Sequence, residues 1–282
     1  MRHRAVDLAF ALAWTLVRRL PERTVTWLFR LAADRTVRRN GRGVRRLRSN
    51  LTVVSPDADL DALTKQAMRS YLRYWQEAFR LPEWSAEEIV GRVQTVNEKL
   101  LRDAYAAGNG VICALPHLAN YDHAGAWAGL TGMPVSTVAE RLQPESLFDR
   151  FIAYRAKLGM EVLPLTGGDD PTAVLAERLR AGGFVCLVAD RDLSERGVPV
   201  TFFGRPSRMP AGPAALSLKT GAPLIPATLH YEGADLVITF HDVVEPDGGV
   251  AAMVQRCADA FADGIGKHPQ DWHMLQRIFL EG

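Results

Sequence analysis

The chain has 282 residues, of which 48% are hydrophobic and 23% are charged, and its formal net charge is +2. This length suits one large α/β domain or two small ones, and the composition excludes an intrinsically disordered chain. The three cysteines, Cys113, Cys186 and Cys257, are far apart and form no C-x-x-C pair. Their spacing argues against a disulfide framework or a zinc site and favours a reducing compartment.

The first 50 residues contain 13 Arg and no Lys against three acidic residues, so this segment carries +10 and the remainder −8. Arginines beside Trp14, Trp27 and Phe29 suit the boundary between lipid tails and anionic headgroups. A solvated helix face that covers the core is the alternative. The nucleic-acid interpretation is weaker, because no helix-turn-helix, zinc-finger or aromatic RNA-binding pattern accompanies the charge.

The apolar run "LAFALAWTLV" near the N-terminus is only about half of the ~20 residues that a membrane-spanning helix needs. No small-residue cleavage site follows it, which argues against a signal peptide. We therefore expect residues 1–50 to form a basic amphipathic extension of two helices, 5–18 and 23–40, that contacts an anionic membrane surface.

Residues 51–282 are expected to form an α/β domain, and the extension and this domain to form one structural unit. Residues 60–80 have helical periodicity, and from 110 onward short β-branched runs alternate with helical segments. The predicted strands are 110–115, 134–139, 160–164, 184–189, 199–203, 223–230 and 235–243. The predicted helices are 121–131, 145–158, 171–181, 211–220 and 249–267. The strand-rich C-terminal half predicts a mixed central sheet flanked by helices.

The stretch "GVICALPHLANYDHAGA" places His117 directly after a buried strand and Asp122 five residues later. With 7 His and 32 Asp and Glu in the chain, about one such pair is expected by chance, and two occur. The second, His230 with Asp235, lies at a predicted hairpin turn and is interpreted as accidental.

Ligands of open α/β sheets bind at the carboxyl ends of strands, where His117 lies. A carboxylate at Asp122 would fix the imidazole tautomer and leave the other nitrogen as a general base. The alternative is a turn histidine beside an acid that complements the helix dipole.

A second polar strand end, Asp190-Arg191-Asp192, follows the apolar run 184–189. The sequence "TFFGRPSRMPAGPA" comes next and contains Gly204 and Arg208. Asp-x-Asp is also a pattern that binds a divalent metal in nucleotide-sugar glycosyltransferases, although a solvated turn is its usual role. No G-x-S-x-G, P-loop, G-x-G-x-x-G or H-E-x-x-H motif occurs, which disfavours serine hydrolases, P-loop enzymes and zincins.

A third element, "TVAERLQPESLFDRFIAYRAKLG", places Glu140 and Arg141 after a predicted strand and Arg155 on the following helix. Glu140 and Arg155 are candidates for contacts with a polar headgroup or with phosphates. An ordinary surface ion pair explains the same residues equally well.

These three blocks, in this order, resemble the H-x4-D/E glycerolipid acyltransferases of the lipid A lauroyl/myristoyl branch. "PHLANYDHAGAW" matches the H-x4-D/E block. The two longer blocks, 137–165 and 189–227, are similar to the phosphatidylinositol mannoside acyltransferases of actinobacteria. The resemblance covers nearly the whole chain.

The resemblance implies a peripheral O-acyltransferase at the cytoplasmic face of the plasma membrane, with acyl-CoA as co-substrate and no bound cofactor or metal. Its implied acceptor is a mannose 6-hydroxyl of a phosphatidylinositol mannoside, and palmitoyl-CoA is the typical donor. His117 matches the family's base and Asp122 its orienting acid. Either Asp190 or Asp192 matches a further acid beside the histidine. We assign Glu140, Arg141, Arg155, Arg191, Gly204 and Arg208 to substrate binding.

The expected mechanism is direct transfer without an acyl-enzyme: His117 deprotonates the sugar hydroxyl, which attacks the thioester. The alternative enzyme is a metal-dependent nucleotide-sugar glycosyltransferase that uses Asp190 and Asp192 on a lipid acceptor. A third interpretation is a non-catalytic lipid-binding protein. It is disfavoured because it assigns no function to the polar residues that follow the strands at His117 and at Asp190.

Overall fold

The computed structural model describes residues 17–139, 152–165, 170–192 and 197–280. The first three complete helices of the described residues are α1 (Glu22–Arg39), α2 (Arg42–Val54) and α3 (Leu60–Arg80). Pro21 precedes α1, which matches the predicted helix 23–40 to within one residue at each end. Of the predicted helix 5–18 only the end is described, with residues 17–19 helical. The helix α2 spans position 50, so the predicted boundary between the basic extension and the α/β domain falls inside a helix.

The apolar sides of the three N-terminal helices pack on one another, with Val44, Leu47 and Leu51 of α2 buried. These three residues are spaced i, i+3 and i+7 and therefore lie on one face of the helix. Burial of this apolar face against the neighbouring helices holds α2 in place. Arg69 of α3 donates two hydrogen bonds, of 2.8 and 2.7 Å, to the carboxylate of Asp34 on α1. A bidentate pair of this kind fixes the angle between the two helices.

The remaining helices of the described chain flank a sheet. They are α4 (Ala86–Gly91), α5 (Glu98–Ala106), α6 (Tyr121–Leu130), α7 (Pro171–Arg180), α8 (Gly212–Thr220) and α9 (Gly249–Lys267). Residues 152–157 are also helical, within the predicted helix 145–158.

The described strands are β1 (Val93–Val96), β2 (Val111–Leu115), β3 (Val135–Ala139), β4 (Glu161–Pro164), β5 (Phe184–Val188), β6 (Val198–Phe202), β7 (Arg205–Met209), β8 (Leu224–Glu232) and β9 (Asp235–Phe240). Seven of them form a sheet in the order β1-β9-β8-β2-β5-β3-β4, and β6 pairs with β7 in a separate hairpin. Only β8 and β9 run antiparallel within the large sheet. The predicted mixed α/β sheet and the predicted hairpin turn after Tyr231 are confirmed.

The strand β2, "VICAL", is buried at every position and lies between β8 and β5. A continuous apolar run is typical of a parallel strand that is covered on both faces. Leu115 of β2 is paired with Val188 of β5, so the two strands end side by side. The loops that follow them are therefore neighbours, and this pairing places the candidate site.

Candidate active site

His117 follows β2 and Asp190 follows β5, and the two side chains are hydrogen-bonded to each other. Nδ1 of His117 lies 2.5 Å from Oδ1 of Asp190, and the backbone N–H of His117 donates to Oδ2 at 3.0 Å. The indole Nε1–H of Trp272 donates to the same Oδ2 at 2.9 Å. Because a carboxylate only accepts hydrogen bonds, Nδ1 carries a proton and Nε2 is left as the acceptor nitrogen.

The carboxylate of Asp190 is fully buried. Burial alone would raise its pKa, but the charge of His117 and the hydrogen bonds from His117 and Trp272 lower the pKa below its usual value. Asp190 is therefore held as a carboxylate that orients the imidazole and stabilises its protonated form. Asp192 instead accepts a hydrogen bond of 2.6 Å from the backbone N–H of Gly197. Of the two acids left open by the sequence, the structure brings Asp190 to the histidine.

The expected contact between His117 and Asp122 is wrong. Oδ1 of Asp122 accepts a hydrogen bond of 2.8 Å from Nε of Arg155, and Oδ2 accepts one of 3.1 Å from the hydroxyl of Tyr74. Asp122 lies in the first turn of α6, where its side chain faces α3 and the helical segment 152–157. His117 turns instead towards the loop after β5, and a five-residue spacing does not force the two side chains together.

The ion pair between Arg155 and Asp122 forms a second polar centre, in which both side chains are largely buried. Burial opposes the charge of Arg155, but the charge of Asp122 outweighs it and the pKa of the guanidinium is raised. The neighbouring hydroxyl of Tyr121 has its pKa raised to about 12 by burial and by the negative charge of Asp122. This centre therefore holds a permanent cation among neutral phenols, suited to binding oxygen atoms of a substrate.

Both polar centres line one cavity of about 470 Å³. His117, Asp122, Arg155 and Arg191 lie on its wall, and the rest of the lining comes mostly from apolar side chains of the sheet and of α6. The volume falls within the range of pockets that enclose a small ligand. A polar end and a long apolar wall indicate a ligand with a reactive head and a hydrocarbon part.

The other predicted site residues are not all brought together. Glu140 and Arg141 lie outside the described residues. Gly204 lies in the turn between β6 and β7, and Arg208 of β7 donates to the carbonyl of Gly197 at 3.0 Å. Neither residue is among those that line the cavity, so their assignment to substrate binding stays a prediction that the geometry does not support.

A C-terminal segment that the sequence analysis missed completes the site. The backbone N–H of His273 donates to the carbonyl of His117 at 2.9 Å, and that of Ala119 donates to the carbonyl of Asp271 at 2.9 Å. With the bond from Trp272 to Asp190, this segment holds the histidine loop and its acid in place. The one signal was "QDWHML", where an acid, an indole and an imidazole follow one another directly.

His273 lies in the cavity wall and is kept neutral. Its Nε2 is 3.0 Å from the hydroxyl of Ser70, which itself donates to Asp271 at 2.7 Å. Since Ser70 has one proton to give, the imidazole must be the donor and its proton is on Nε2. Burial, with a contribution from the charge of His117, lowers the pKa of His273 to about 3.

Within the described residues, no three or more His, Cys, Asp and Glu side chains lie together in a way that could hold a metal ion. Among the helices of the same residues, no helix is both long and apolar enough to cross a bilayer.

The chain matches, over residues 1–281, the family model described as bacterial lipid A biosynthesis acyltransferase. It is 46% identical over 275 residues to the phosphatidylinositol mannoside acyltransferase of Mycolicibacterium smegmatis, covering 96% of this chain and 90% of the relative. It is 47% identical over 283 residues to the enzyme of the same name from Mycobacterium tuberculosis H37Rv, covering 98% of this chain and 89% of the relative. These matches confirm the resemblance that the three sequence blocks indicated. The chain belongs to the bacterial lipid A biosynthesis acyltransferase family.

Proposed function

We propose that the protein transfers a fatty acyl group, palmitoyl in the typical case, from acyl-CoA to a mannose 6-hydroxyl of a phosphatidylinositol mannoside. The observation that carries this proposal is the imidazole of His117, oriented by Asp190 at the polar end of an apolar cavity. The similarity to two mycobacterial enzymes named for this activity supports the acceptor.

In the proposed reaction, Nε2 of His117 takes the proton of the sugar hydroxyl while the oxygen attacks the thioester carbonyl. Asp190 stabilises the imidazolium that forms. The tetrahedral intermediate then collapses with cleavage of the C–S bond, and the departing thiolate takes the proton from Nε2. General-base assistance of this kind typically contributes about 10²–10⁴-fold, and the positioning of two bound substrates adds to it.

Arg155 and Asp122 have a different part in this proposal. Nε of Arg155 is committed to Asp122, and the rest of its planar guanidinium presents N–H donors at the polar end of the cavity. We assign these donors, with Arg191, to oxygens of the acceptor headgroup. Asp122 then acts by fixing the guanidinium rather than by touching the imidazole.

The geometry disfavours the glycosyltransferase alternative. Both oxygens of Asp190 already accept hydrogen bonds from N–H donors, and Oδ2 of Asp192 accepts one from the backbone. Lone pairs engaged by donors are poor ligands for a divalent ion. Membership of an acyltransferase family also argues for acyl transfer, and chelator treatment that leaves the rate unchanged would separate the two reactions.

The membrane proposal rests on α1. Trp27, Leu28 and Leu31 are 59%, 41% and 43% exposed and lie on one side of this helix, and Arg23 and Arg30 are exposed next to them. Apolar side chains between arginines match the interface of an anionic bilayer. We propose that this surface docks the protein on the cytoplasmic face of the plasma membrane as a peripheral enzyme.

Vesicle flotation tests the docking proposal. The double variant Trp27→Ser/Leu31→Ser should lose most binding to vesicles that contain anionic phospholipid, and binding of the wild type should weaken with salt. Leu218→Ser, which replaces an exposed leucine on α8, is the matched control and should bind normally. Equal binding of all three proteins would contradict the assignment of the surface.

The proposed reaction is tested by incubating the purified protein with palmitoyl-CoA and a phosphatidylinositol mannoside, followed by mass spectrometry of the lipid and measurement of the released thiol. The expected product gains one palmitoyl group on the sugar, with one CoA released per product. His117→Ala should abolish transfer, whereas His230→Ala, at the other His-x4-Asp pair, should not. Lipid binding without thiol release would favour the non-catalytic interpretation.

A further inference from the structure

Two of the three cysteines lie side by side on neighbouring strands of the sheet. Cys113 of β2 is paired with Cys186 of β5 in the parallel register, so both side chains leave the sheet on the same face. Both residues line the cavity that His117 also lines. Cys113 is buried, Cys186 is half-buried, and both are free thiols. The cavity wall therefore contains two adjacent thiols that a bound molecule can touch together.

The strand register makes a disulfide between these two thiols unfavourable. Adjacent strands lie about 4.8 Å apart, and directly paired side chains of parallel strands leave the sheet in the same direction, so their Cβ atoms stay near that separation. A disulfide holds its two Cβ atoms about 3.8 Å apart. An S–S bond would therefore have to draw two central strands together by about 1 Å. An atom placed between the two sulfurs spans a longer gap and removes that requirement.

The surroundings of the pair also restrict the reagents that it takes. Removal from water raises the pKa of the Cys186 thiol well above its ordinary value, and the neighbouring thiol of Cys113 raises this pKa further. A thiol that stays protonated reacts slowly with peroxides and with alkylating agents, which require the thiolate. The next residues of β2 and β5 on the same face are Leu115 and Val188, which are apolar and line the cavity. A ligand of this pair is therefore expected to be neutral and apolar.

The two sulfurs determine the class of that ligand. Zinc takes four ligands, and in the part of the chain that the structure describes no third His, Cys, Asp or Glu side chain joins the pair in a metal-binding group. Sulfur donors prefer soft partners. A trivalent arsenical that carries one organic group has two valences to exchange, so it needs two thiols and no further ligand. We propose that Cys113 and Cys186 form a dithiol site that binds trivalent organic arsenicals and similar soft ligands with two exchangeable valences.

The binding step is an exchange of bonds without a change of oxidation state. The arsenic atom of phenylarsine oxide gives up its oxygen and forms one bond to each sulfur, while both S–H bonds break. The two thiol protons leave with the oxygen as one molecule of water. The phenyl group then occupies part of the cavity that His117 lines, so acyl transfer should stop. This last consequence rests on the proposed function, whereas the binding itself does not.

Native mass spectrometry of the purified protein with phenylarsine oxide tests the site. The wild type should gain one phenylarsenic group per chain, with the loss of one water. Excess monothiol should not remove this group, because two bonds must break, whereas 2,3-dimercaptopropanol should remove it. Cys113→Ala and Cys186→Ala should each lose the resistant adduct. Cys257→Ala is the matched control, because Cys257 lies on α9 and does not line the cavity, and it should bind as the wild type does.

Two results would overturn the dithiol site: an unmodified wild type, and an adduct that resists monothiol in Cys186→Ala. Cys186 is half-buried, so its replacement decides the question if Cys113→Ala does not fold. Exposure of the wild type to hydrogen peroxide should leave positions 113 and 186 without a disulfide. Formation of that disulfide would contradict the strand-spacing argument for a bridging ligand.

A second measurement follows acyl transfer by mass spectrometry of the lipid product. Phenylarsine oxide should abolish transfer by the wild type and by Cys257→Ala, whereas Cys186→Ala should keep the rate that it has without the reagent. A wild-type adduct with undiminished transfer would overturn the proposed block of the cavity. An adduct on a protein that transfers no acyl group even before treatment would retain the dithiol site and reject the proposed function instead.

Discussion

Replacement of Asp190 by asparagine tests the part of the site on which the chemistry depends. The amide has one acceptor oxygen and one NH₂ group where the carboxylate has two acceptors. In the native site, Oδ2 accepts two hydrogen bonds, from the backbone N–H of His117 and from Nε1–H of Trp272. The amide oxygen satisfies both donors only if it takes the place of Oδ2.

That orientation places the NH₂ group against Nδ1 of His117, where Oδ1 now lies at 2.5 Å. Two donors cannot face each other, so the imidazole must carry its proton on Nε2 instead. Nε2 is then no longer a base. The same inversion in a serine protease triad lowers kcat by about 10⁴-fold, and loss of a charge-assisted hydrogen bond alone, about 1.5–3 kcal/mol, accounts for about 10- to 150-fold.

We therefore expect Asp190→Asn to lower kcat by about 10³–10⁴-fold while the KM for acyl-CoA changes little. The assay is thiol release as a function of pH, with circular dichroism to show that the fold is retained. Asp192→Asn is the matched control from the same loop, because its carboxylate contacts Gly197, and it should keep the pH profile of the wild type. A rate for Asp190→Asn within tenfold of the wild type would refute the assigned tautomer.

Three further outcomes follow from the described contacts. Trp272→Phe removes the indole donor to Asp190 and should lower kcat by about tenfold or more and alter the pH profile. Phe202→Leu alters the packing against that ring and against Phe203 and Phe279 but leaves the hydrogen bond to Asp190 in place, so it should lower the melting temperature without altering the profile. Arg155→Lys keeps the charge but loses the planar fork at Asp122, so the KM for the acceptor should rise more than kcat falls in steady-state assays. His273 stays neutral in the folded protein down to about pH 3, whereas in the unfolded chain it is protonated near its ordinary pKa of 6.5. The unfolded state therefore binds more protons below pH 6.5. In that range His273 lowers the free energy of unfolding by up to about 1.4 kcal/mol per pH unit of acidification. Chemical unfolding of His273→Phe at pH 7 and pH 5 should show a smaller loss on acidification than the wild type, and an equal loss would contradict the buried neutral imidazole.

The sheet was predictable because its central strands are continuous apolar runs that end in charged loops. Elements without that contrast were missed. The four residues of β1 are too few to show a period, and β7 contains Pro206 and two arginines, which are typical of a turn. The helix α2 was missed because arginines surround its few apolar residues, such as Val44 and Leu47. Its apolar face was recognised only from the packing of α2 on α1 and α3.

The site was predictable to the extent that it follows from strand ends. The position of His117 after β2 and of Asp190 after β5 could be read from the sequence, but the neighbouring position of these two strands could not. Sequence distance favoured Asp122, five residues away, over Asp190, which is 73 residues away. Trp272 was beyond prediction because its role depends on the C-terminal segment crossing the end of β2.

The structure gives the two acids of this site different partners, and the reason is electrostatic. A carboxylate shared between His117 and Arg155 would be neutralised by the guanidinium and would stabilise an imidazolium less. Pairing Arg155 with Asp122 and His117 with Asp190 gives each cation its own anion. The five-residue spacing then has a different meaning from a catalytic contact. It places the imidazole before α6 and, on the first turn of that helix, the carboxylate that anchors the guanidinium of Arg155. His117, Asp122 and Arg155 all line one cavity. A hydroxyl bound in that cavity can therefore meet a base and a cation together, and this arrangement needs no bond between His117 and Asp122.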